Sequence, residues 1–445
     1  MKIEIVILGA GESGVGAACL SSKKGFNTFV SDINPIKKHY KDLLYSYNIN
    51  FEENKHSKEK ILKADLIIKS PGIDPNNELI LEAKKKGIQI ISEIEFAYWF
   101  CNAKIIAITG SNGKTTTTTL IYEILKKANL NVGLAGNIGN SFAFSVLNNN
   151  FNYYVLEVSS FQLEDIDKFK PHIAILLNIS QNHLNRYQYI FEKYVKAKFN
   201  IIKNQTSNDY FIYCYDDKII QSQLKSVQVK SKLVPFSQKI KIKYGGYIED
   251  NHLKIKLNKK SFCMDLKELT LPGRHNKYNS LAASLAAKIS DIRNETIKAV
   301  LRNFHPLEHR MESVAKIRGV EFINDSKATT VHATWYALEY YNRPIIWLVG
   351  GLDKGNDYSL IYDLVKKKVK AIICIGLDNS KIINAFKNLN KRIYEIKDMK
   401  KAVSLAFRIS EPNDIVLLSP ACASFDLYEN YEDRGNQFKK AVKEL

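Results

Sequence analysis

Three times along the chain, short apolar runs bounded by glycine turns alternate with amphipathic stretches, the rhythm of βαβ units and parallel sheets. In the first block, about residues 1–95, a strand over Ile3–Leu8 leads into a glycine turn. A helix through Ala17–Lys24 follows, then a strand Thr28–Ser31 that ends at Asp32. Leu66–Lys69, the turn Ser70-Pro71-Gly72 and Ile88–Ile91 continue the pattern. The second block, about 96–305, opens with a strand Lys104–Thr109, a loop Gly110–Thr115 and a helix Thr117–Ala128. Strands at Tyr153–Val158 and His172–Ile179 come next. Between about 240 and 271 the texture changes. Strict alternation over Lys241–Ile248 and Leu253–Leu257 predicts an antiparallel hairpin appended to the domain, and a helix Asn276–Ile289 closes the block. The third block, about 306–445, has strands near Val320–Ile323, Ile345–Val349, Ala371–Ile375 and Ile415–Leu418. The polar stretch His305–Arg310 reads as its hinge.

Composition narrows the class. At 445 residues, 45% hydrophobic and 25% charged, the chain has the balance of a soluble globular protein and exceeds what one core supports. No apolar run is long enough to cross a bilayer. The apolar start Met1–Gly9 contains Glu4 and runs into a glycine turn without a small-residue cleavage site, so it reads as a buried first strand and not as a signal peptide. Six widely spaced cysteines argue against a disulfide framework or zinc site and for a reducing cytoplasm. The formal charge of +19 raises the question of nucleic acid. Its lysines are spread over the whole chain, with only short clusters at Lys84–Lys86 and Lys366–Lys368, whereas a binding face concentrates charge. Neither a nucleic-acid nor a membrane partner is expected. With no apolar interface signal, a monomer is the default.

The chemistry-bearing residues sit where strands end. Thr109-Gly110-Ser111-Asn112-Gly113-Lys114-Thr115-Thr116 lies between a strand and a helix. Its glycines let backbone N–H groups wrap phosphate oxygens, Lys114 reaches the terminal phosphates, and the Thr115 hydroxyl suits Mg²⁺. The usual pattern places glycine where this chain has Ile108, so the P-loop is shortened. Glu157, at the end of a neighbouring buried strand, reads as the acid that completes a Mg²⁺ shell, beside helix-capping candidates Ser159 and Ser160. His183, in Asn178–Tyr187, is a lone histidine after a strand, more often a surface or hydrogen-bonded residue than a ligand. Lys198 has the look of one more lysine in a lysine-rich chain. Gly9-Ala10-Gly11-Glu12-Ser13-Gly14-Val15-Gly16 with Asp32 matches a dinucleotide fingerprint, although Glu12 does not help a diphosphate. In the third block Asn324–Thr330, Gly350–Gly355 and Ser419–Asp426 all follow strands, and Lys327, Lys354 and the serine hydroxyls suit a small dicarboxylic acid. The fold class expected is α/β in three domains. These are a Rossmann-like N-terminal domain (1–95), a central P-loop ATPase domain (96–305) with the added antiparallel β element, and a C-terminal Rossmann-like domain (306–445).

On these residues the chain resembles the Mur ligases over nearly its whole length, and within them the branch that adds D-glutamate to UDP-N-acetylmuramoyl-L-alanine. The shortened loop Thr109–Thr116 is the family's own, and the N-terminal glycine turn, Asn324–Thr329, Gly350–Lys354 and Ser419–Asp426 point to that branch. The resemblance implies ATP on Gly110, Ser111, Asn112, Gly113, Lys114, Thr115 and Thr116, with Asn276 and Asn279 near adenine and Arg310 and Asp325 contributed by the third domain. It implies two Mg²⁺ ions, one on Thr115 and Glu157, the other on His183 and a carbamylated Lys198. Lys114, His183 and Lys198 would be the catalytic set. Ser13, Asp32, Asn34 and Gly72 would lie near the UDP-sugar, and Asn137, Ser159 and Gln162 would line the rest of that substrate. Lys327, Thr329, Lys354, Ser424 and Phe425 would hold D-glutamate, with Tyr431 close by. The chain departs from the pattern at Asn182 and Asn185, where acids are common, and at Thr330, where asparagine is. A folate polyglutamate synthetase lacks the N-terminal glycine-turn domain, and a nicotinamide oxidoreductase built on Gly9–Gly16 leaves the central loop without a role.

Overall fold

Continuous runs of Val, Ile and Leu can be buried on both faces only inside a parallel sheet covered by helices, and the chain builds three such sheets. The computed structural model describes residues 3–181, 186–271, 273–304, 308–353 and 355–445. The first sheet contains β1 (Glu4–Leu8), β2 (Asn27–Ser31), β3 (Asn50–Glu52), β4 (Leu66–Lys69) and β5 (Gln89–Ser92). Its order is β3-β2-β1-β4-β5, every pair parallel. The expected first strand is thus the middle of a sheet, with Ile5, Val6, Ile7 and Leu8 all buried.

The second sheet comprises β6 (Lys104–Thr109), β7 (Val132–Gly136), β8 (Tyr153–Glu157), β9 (Ile173–Leu176), β10 (Tyr210–Cys214), β11 (Lys232–Ser237), β12 (Gly245–Glu249), β13 (His252–Leu257) and β14 (Lys260–Asp265). The order β14-β13-β12-β11-β10-β9-β6-β8-β7 puts β6 between β9 and β8. The alternating segment forms three strands where the sequence suggested a hairpin. β12, β13 and β14 make an antiparallel meander, joined to the parallel part because β12 runs parallel to β11. Every second residue of β13 (Leu253, Ile255, Leu257) is buried, as one-sided packing requires.

The third sheet holds β15 (Glu312–Ile317), β16 (Val320–Asn324), β17 (Ile345–Val349), β18 (Val369–Cys374), β19 (Arg392–Glu395) and β20 (Ile415–Leu418), in the order β15-β16-β20-β17-β18-β19. Only the edge strand β15 is antiparallel. Its two faces carry separate cores. Trp347, Val349, Ile372 and Leu417 pack on one side, and Ile346, Leu348, Ile373 and Val416 on the other.

By packing, the chain divides into two compact units, residues 1–179 with 190–303, and residues 180–189 with 304–445. The first two sheets share one unit. Helix Glu12–Lys23 lies against helix Phe142–Asn148, and the Glu12 carboxylate accepts from the Ser141 N–H at 2.8 Å. Glu93 accepts from Ala143 N at 2.5 Å. Glu95 accepts from the N–H groups of Asp167, Lys168 and Phe169. Among the described residues no helix is long and apolar enough to cross a membrane. All six cysteines are unpaired.

Candidate active site

The loop after β6 turns on glycines. Gly113 has φ +82°, and a Cβ there would stand 2.4 Å from Asn279 Oδ1, so only glycine permits helix Lys114–Lys127 to start so close to helix Arg274–Ile289. The start lies three residues earlier than the sequence pattern suggested. Five consecutive threonines have modest helix propensity, and packing holds this turn where propensity does not. Asn178, two residues beyond β9, braces the loop. Its carbonyl accepts from Ser111 N (2.9 Å), its Oδ1 accepts from Asn112 N (2.8 Å), and its Nδ2 donates to Asn112 O (3.0 Å). The Lys114 ammonium folds back onto Gly110 O (2.9 Å) and Ser111 O (3.0 Å). Thr115 and Thr116 are buried in the first helical turn. Thr117 donates to Asn279 Oδ1 (3.2 Å) and Asn279 donates to Asn276 Oδ1 (3.1 Å), which brings both asparagines against the loop.

Glu157 ends β8 in register with Ile108 of β6, one strand over from the loop. It is only 2% exposed. One carboxylate oxygen accepts from Asn137 Nδ2 at 2.9 Å, while Oε2 is buried with no hydrogen-bond partner. A buried carboxylate oxygen without a donor is costly unless a cation meets it. Together with the Thr115 hydroxyl it offers the hard oxygen ligands that Mg²⁺ takes, so the residues present fit that ion. Lys198 is 1% exposed and donates to Gly110 O at 2.9 Å, its ammonium 4.8 Å from the Tyr194 ring centre. Burial, reinforced by nearby Lys114 and opposed by Glu157, holds its amine well below the ordinary lysine range. Ser159 and Gln162 form a capping box on helix Ser160–Glu164, so the capping role weighed from sequence belongs to Ser159.

In the first sheet Asp32 is engaged with the backbone. Its carboxylate accepts from Ala10 N (2.6 Å) in the glycine turn and from Asn34 N (2.8 Å). Ser13 is half-buried, Gly72 exposed. Glu12, unhelpful to a diphosphate from sequence, turns away from the turn to reach Ser141.

The third sheet gathers its candidates at strand carboxyl ends. Asp325, one residue past β16, accepts from Ser419 Oγ at 2.9 Å, and burial pushes its carboxyl up to about 7 against the pull of Ser419 and Arg310. Lys327 sits 4.8 Å over the Tyr431 ring. Thr329 lies in the turn just before Thr330, whose hydroxyl caps helix Val331–Tyr340 by accepting from Ala333 N. An asparagine there would do the same, so that departure is structurally neutral. Ser424 is buried and Phe425 is 65% exposed. His183 and Lys354, with Asn182 and Asn185, lie outside the described residues.

Comparison with known proteins bears on the whole chain. The family description "Mur ligase middle domain" matches residues 108–287, "Mur ligase, glutamate ligase domain" residues 309–422, and "MurD N-terminal domain" residues 3–79. The UDP-N-acetylmuramoylalanine–D-glutamate ligase of Christiangramia forsetii is 51% identical over all of both chains. The enzyme of that name from Bacteroides thetaiotaomicron is 50% identical over 99% of each. The chain belongs to the Mur ligase family. Mur ligases are ATP-dependent amide-bond ligases. Among solved structures, the fold is similar to UDP-N-acetylmuramate–alanine ligase from Thermotoga maritima, with TM-score 0.62, 19% identity and 99% of each chain covered. It is equally similar to a pseudomurein peptide ligase type C from Methanothermus fervidus, with TM-score 0.62 and 20% identity over all of both chains.

Three residues of this Mur ligase escaped sequence reasoning. Asn178 braces the phosphate loop, and Tyr194 shares a 2.9 Å hydrogen bond with Ser111 Oγ. Arg434, 1% exposed, donates to Ser326 O (2.9 Å), Ser326 Oγ (3.0 Å), Cys422 O (3.2 Å) and Gly350 O (3.3 Å), tying together the three strand-end loops of the third sheet. An arginine in a polar helical stretch carries no sequence signal of burial. Only its pattern of carbonyl partners reveals the role.

Proposed function

We propose that this Mur ligase joins D-glutamate to UDP-N-acetylmuramoyl-L-alanine in the cytoplasm, using ATP through an acyl-phosphate intermediate, in the synthesis of peptidoglycan precursor. The supporting observation is the phosphate loop with Lys114 beside the buried, half-unpaired carboxylate of Glu157. Full-length identity near 50% with ligases of that name supports the choice of amino acid.

In this reading the substrate carboxylate attacks the γ-phosphorus of ATP, breaking the bond to ADP. The amine of D-glutamate then attacks the acyl carbon, phosphate leaves, and the amine sheds a proton. Lys114 swings from the Gly110 and Ser111 carbonyls to the β- and γ-phosphates, and the loop N–H groups hold the phosphate oxygens. Asn276 and Asn279 stand near adenine, and Arg310 and Asp325 reach ATP from the third domain. Thr115 and Glu157 would hold one Mg²⁺, and His183 with a carbamylated Lys198 a second; ions bound there would supply the positive charge that lets two anions meet. A neutral, buried Lys198 amine is the form that adds CO₂. Ser13, Asp32, Asn34 and Gly72 face the UDP-sugar, and Asn137, Ser159 and Gln162 the rest of it. Lys327, Thr329, Lys354, Ser424, Phe425 and Tyr431 surround D-glutamate. The domains run 1–95, 96–305 and 306–445, and the enzyme acts as a monomer without a nucleic-acid or membrane partner.

Phosphate release from ATP that requires both UDP-N-acetylmuramoyl-L-alanine and D-glutamate is the expected result. Release driven by L-glutamate with a folate would instead assign the chain to a folylpolyglutamate-type ligase.

A further inference from the structure

The loops after β17 and β20 lie side by side in the third sheet and are joined by main-chain bonds over residues 350–352. Gly350 N donates to Pro420 O (3.0 Å), Leu352 N to Ala423 O (2.8 Å), and Ala423 N back to Leu352 O (3.3 Å). Gly351, at φ +131°, makes the approach possible, since a Cβ there would sit 2.1 Å from Ala423 O. These main-chain bonds fix only the first half of the β17 loop.

The second half is held by side chains. Asp353 Oδ1 accepts from Gly355 N (2.8 Å), Asn356 N (3.1 Å) and Lys381 Nζ (3.0 Å), and its Oδ2 accepts from the Tyr358 hydroxyl (3.0 Å). Asn356 Nδ2 spends its two hydrogens on Ala421 O (3.1 Å), across the gap, and on Tyr358 Oη (3.2 Å), with Cys422 Sγ 3.4 Å away. Tyr358 Oη and Cys422 Sγ are 3.2 Å apart, both buried. The donors sort in one way. Tyr358 gives its single proton to Asp353, so Cys422 S–H donates to the tyrosine oxygen, which accepts from Asn356 as well. Burial pushes the Cys422 thiol up to about 11, which keeps that proton in place. The carboxylate of Asp353 is thereby turned into its own loop and matched with donors, where an outward-facing acid would repel an anionic amino acid.

We propose that Asp353, Asn356 and Tyr358 are positioning residues for the amino-acid substrate. They lock the β17 loop onto the Ala421–Cys422 segment and so set the wall beside Ser424. The inference rests on the reading of Ser424 as part of the D-glutamate site.

The test is steady-state kinetics of the full chain carrying Asn356→Ala, Tyr358→Phe, Asp353→Ala, Asp353→Asn or, as a check on the site itself, Ser424→Ala. N356A and Y358F should raise KM for D-glutamate about tenfold, leaving kcat and the other two KM values within about twofold. D353N keeps an acceptor for the Gly355 and Asn356 N–H groups, so it should recover part of what D353A loses. If S424A raises KM for D-glutamate while N356A and Y358F do not, the lock is wrong and the site stands. If S424A also leaves that KM unchanged, the site reading falls. A uniform loss in kcat and all three KM values, with a lowered Tm, would reduce the cluster to a structural role and overturn the proposal.

Discussion

Lys114 holds two carbonyls of its own loop, and an ammonium so placed exchanges them readily for the stronger charge of a triphosphate. Lys114→Ala should therefore lower D-glutamate-dependent phosphate release by at least about a hundredfold with Tm nearly unchanged. Glu157→Gln keeps an acceptor for Asn137 but removes the charge awaiting a cation. Its activity should fall steeply and should not be restored by raising Mg²⁺, which titration of the rate against the ion will show. Glu93 titrates in the fold instead of acting in the site. Burial, aided by the Glu12 charge and opposed by the Ala143 N–H, pushes its carboxyl from 4.5 to about 7. The folded state thus favours the neutral acid. Stability from this group is complete below pH 4.5, drains away as pH rises toward 7, and is flat above that, a change of about 3 kcal/mol. Denaturant unfolding should show this loss between pH 4.5 and 7, and Glu93→Gln should flatten it. Lys114 and Glu157 were legible in the sequence because a glycine-bounded loop and an acid ending an apolar strand are local patterns. Lys198 was not, since the carbonyl that receives its ammonium belongs to Gly110, 88 residues earlier, and a lysine beside Tyr194 on its own helix carries no local sign of burial.

Legibility at the level of elements follows burial only in part. Strands Leu66–Lys69, Lys104–Thr109, Ile345–Val349 and Ile415–Leu418 have the bounds their apolar runs predict, because each lies inside a parallel sheet with both faces covered. Edge strands β3, β7, β15 and β19 were missed, being short or polar, with an identity that depends on a neighbour's hydrogen bonds, and so were the inner strands β10 and β11, the second of which carries Pro235. The meander was read as a hairpin because Lys260–Asp265 alternates too weakly to declare itself. The phosphate-loop helix depends on a single residue at its start. Gly113→Ala must strain a left-handed backbone and displace Asn279. It should lower Tm and weaken ATP binding together, measurable by nucleotide titration calorimetry, whereas Thr119→Ala, whose hydroxyl merely returns to Thr115 O, should change binding little.

For the molecule as a whole, the boundary between the two units at Asn303 and Phe304 falls beside the polar stretch 305–310 that the sequence suggested as a hinge, of which 305–307 lie outside the described residues. Closure about residues 304–312 on binding ATP analogue and substrate should reduce the radius of gyration in small-angle scattering, and an unchanged radius would count against a hinge there. The first two sheets behave differently, and the Glu12, Glu93 and Glu95 carboxylates explain why dissecting the chain at residue 95 would fail. Deleting everything before β6 would leave five amide donors, at residues 141, 143, 167, 168 and 169, without their acceptors on a newly bared apolar surface. A recombinant fragment starting there should aggregate.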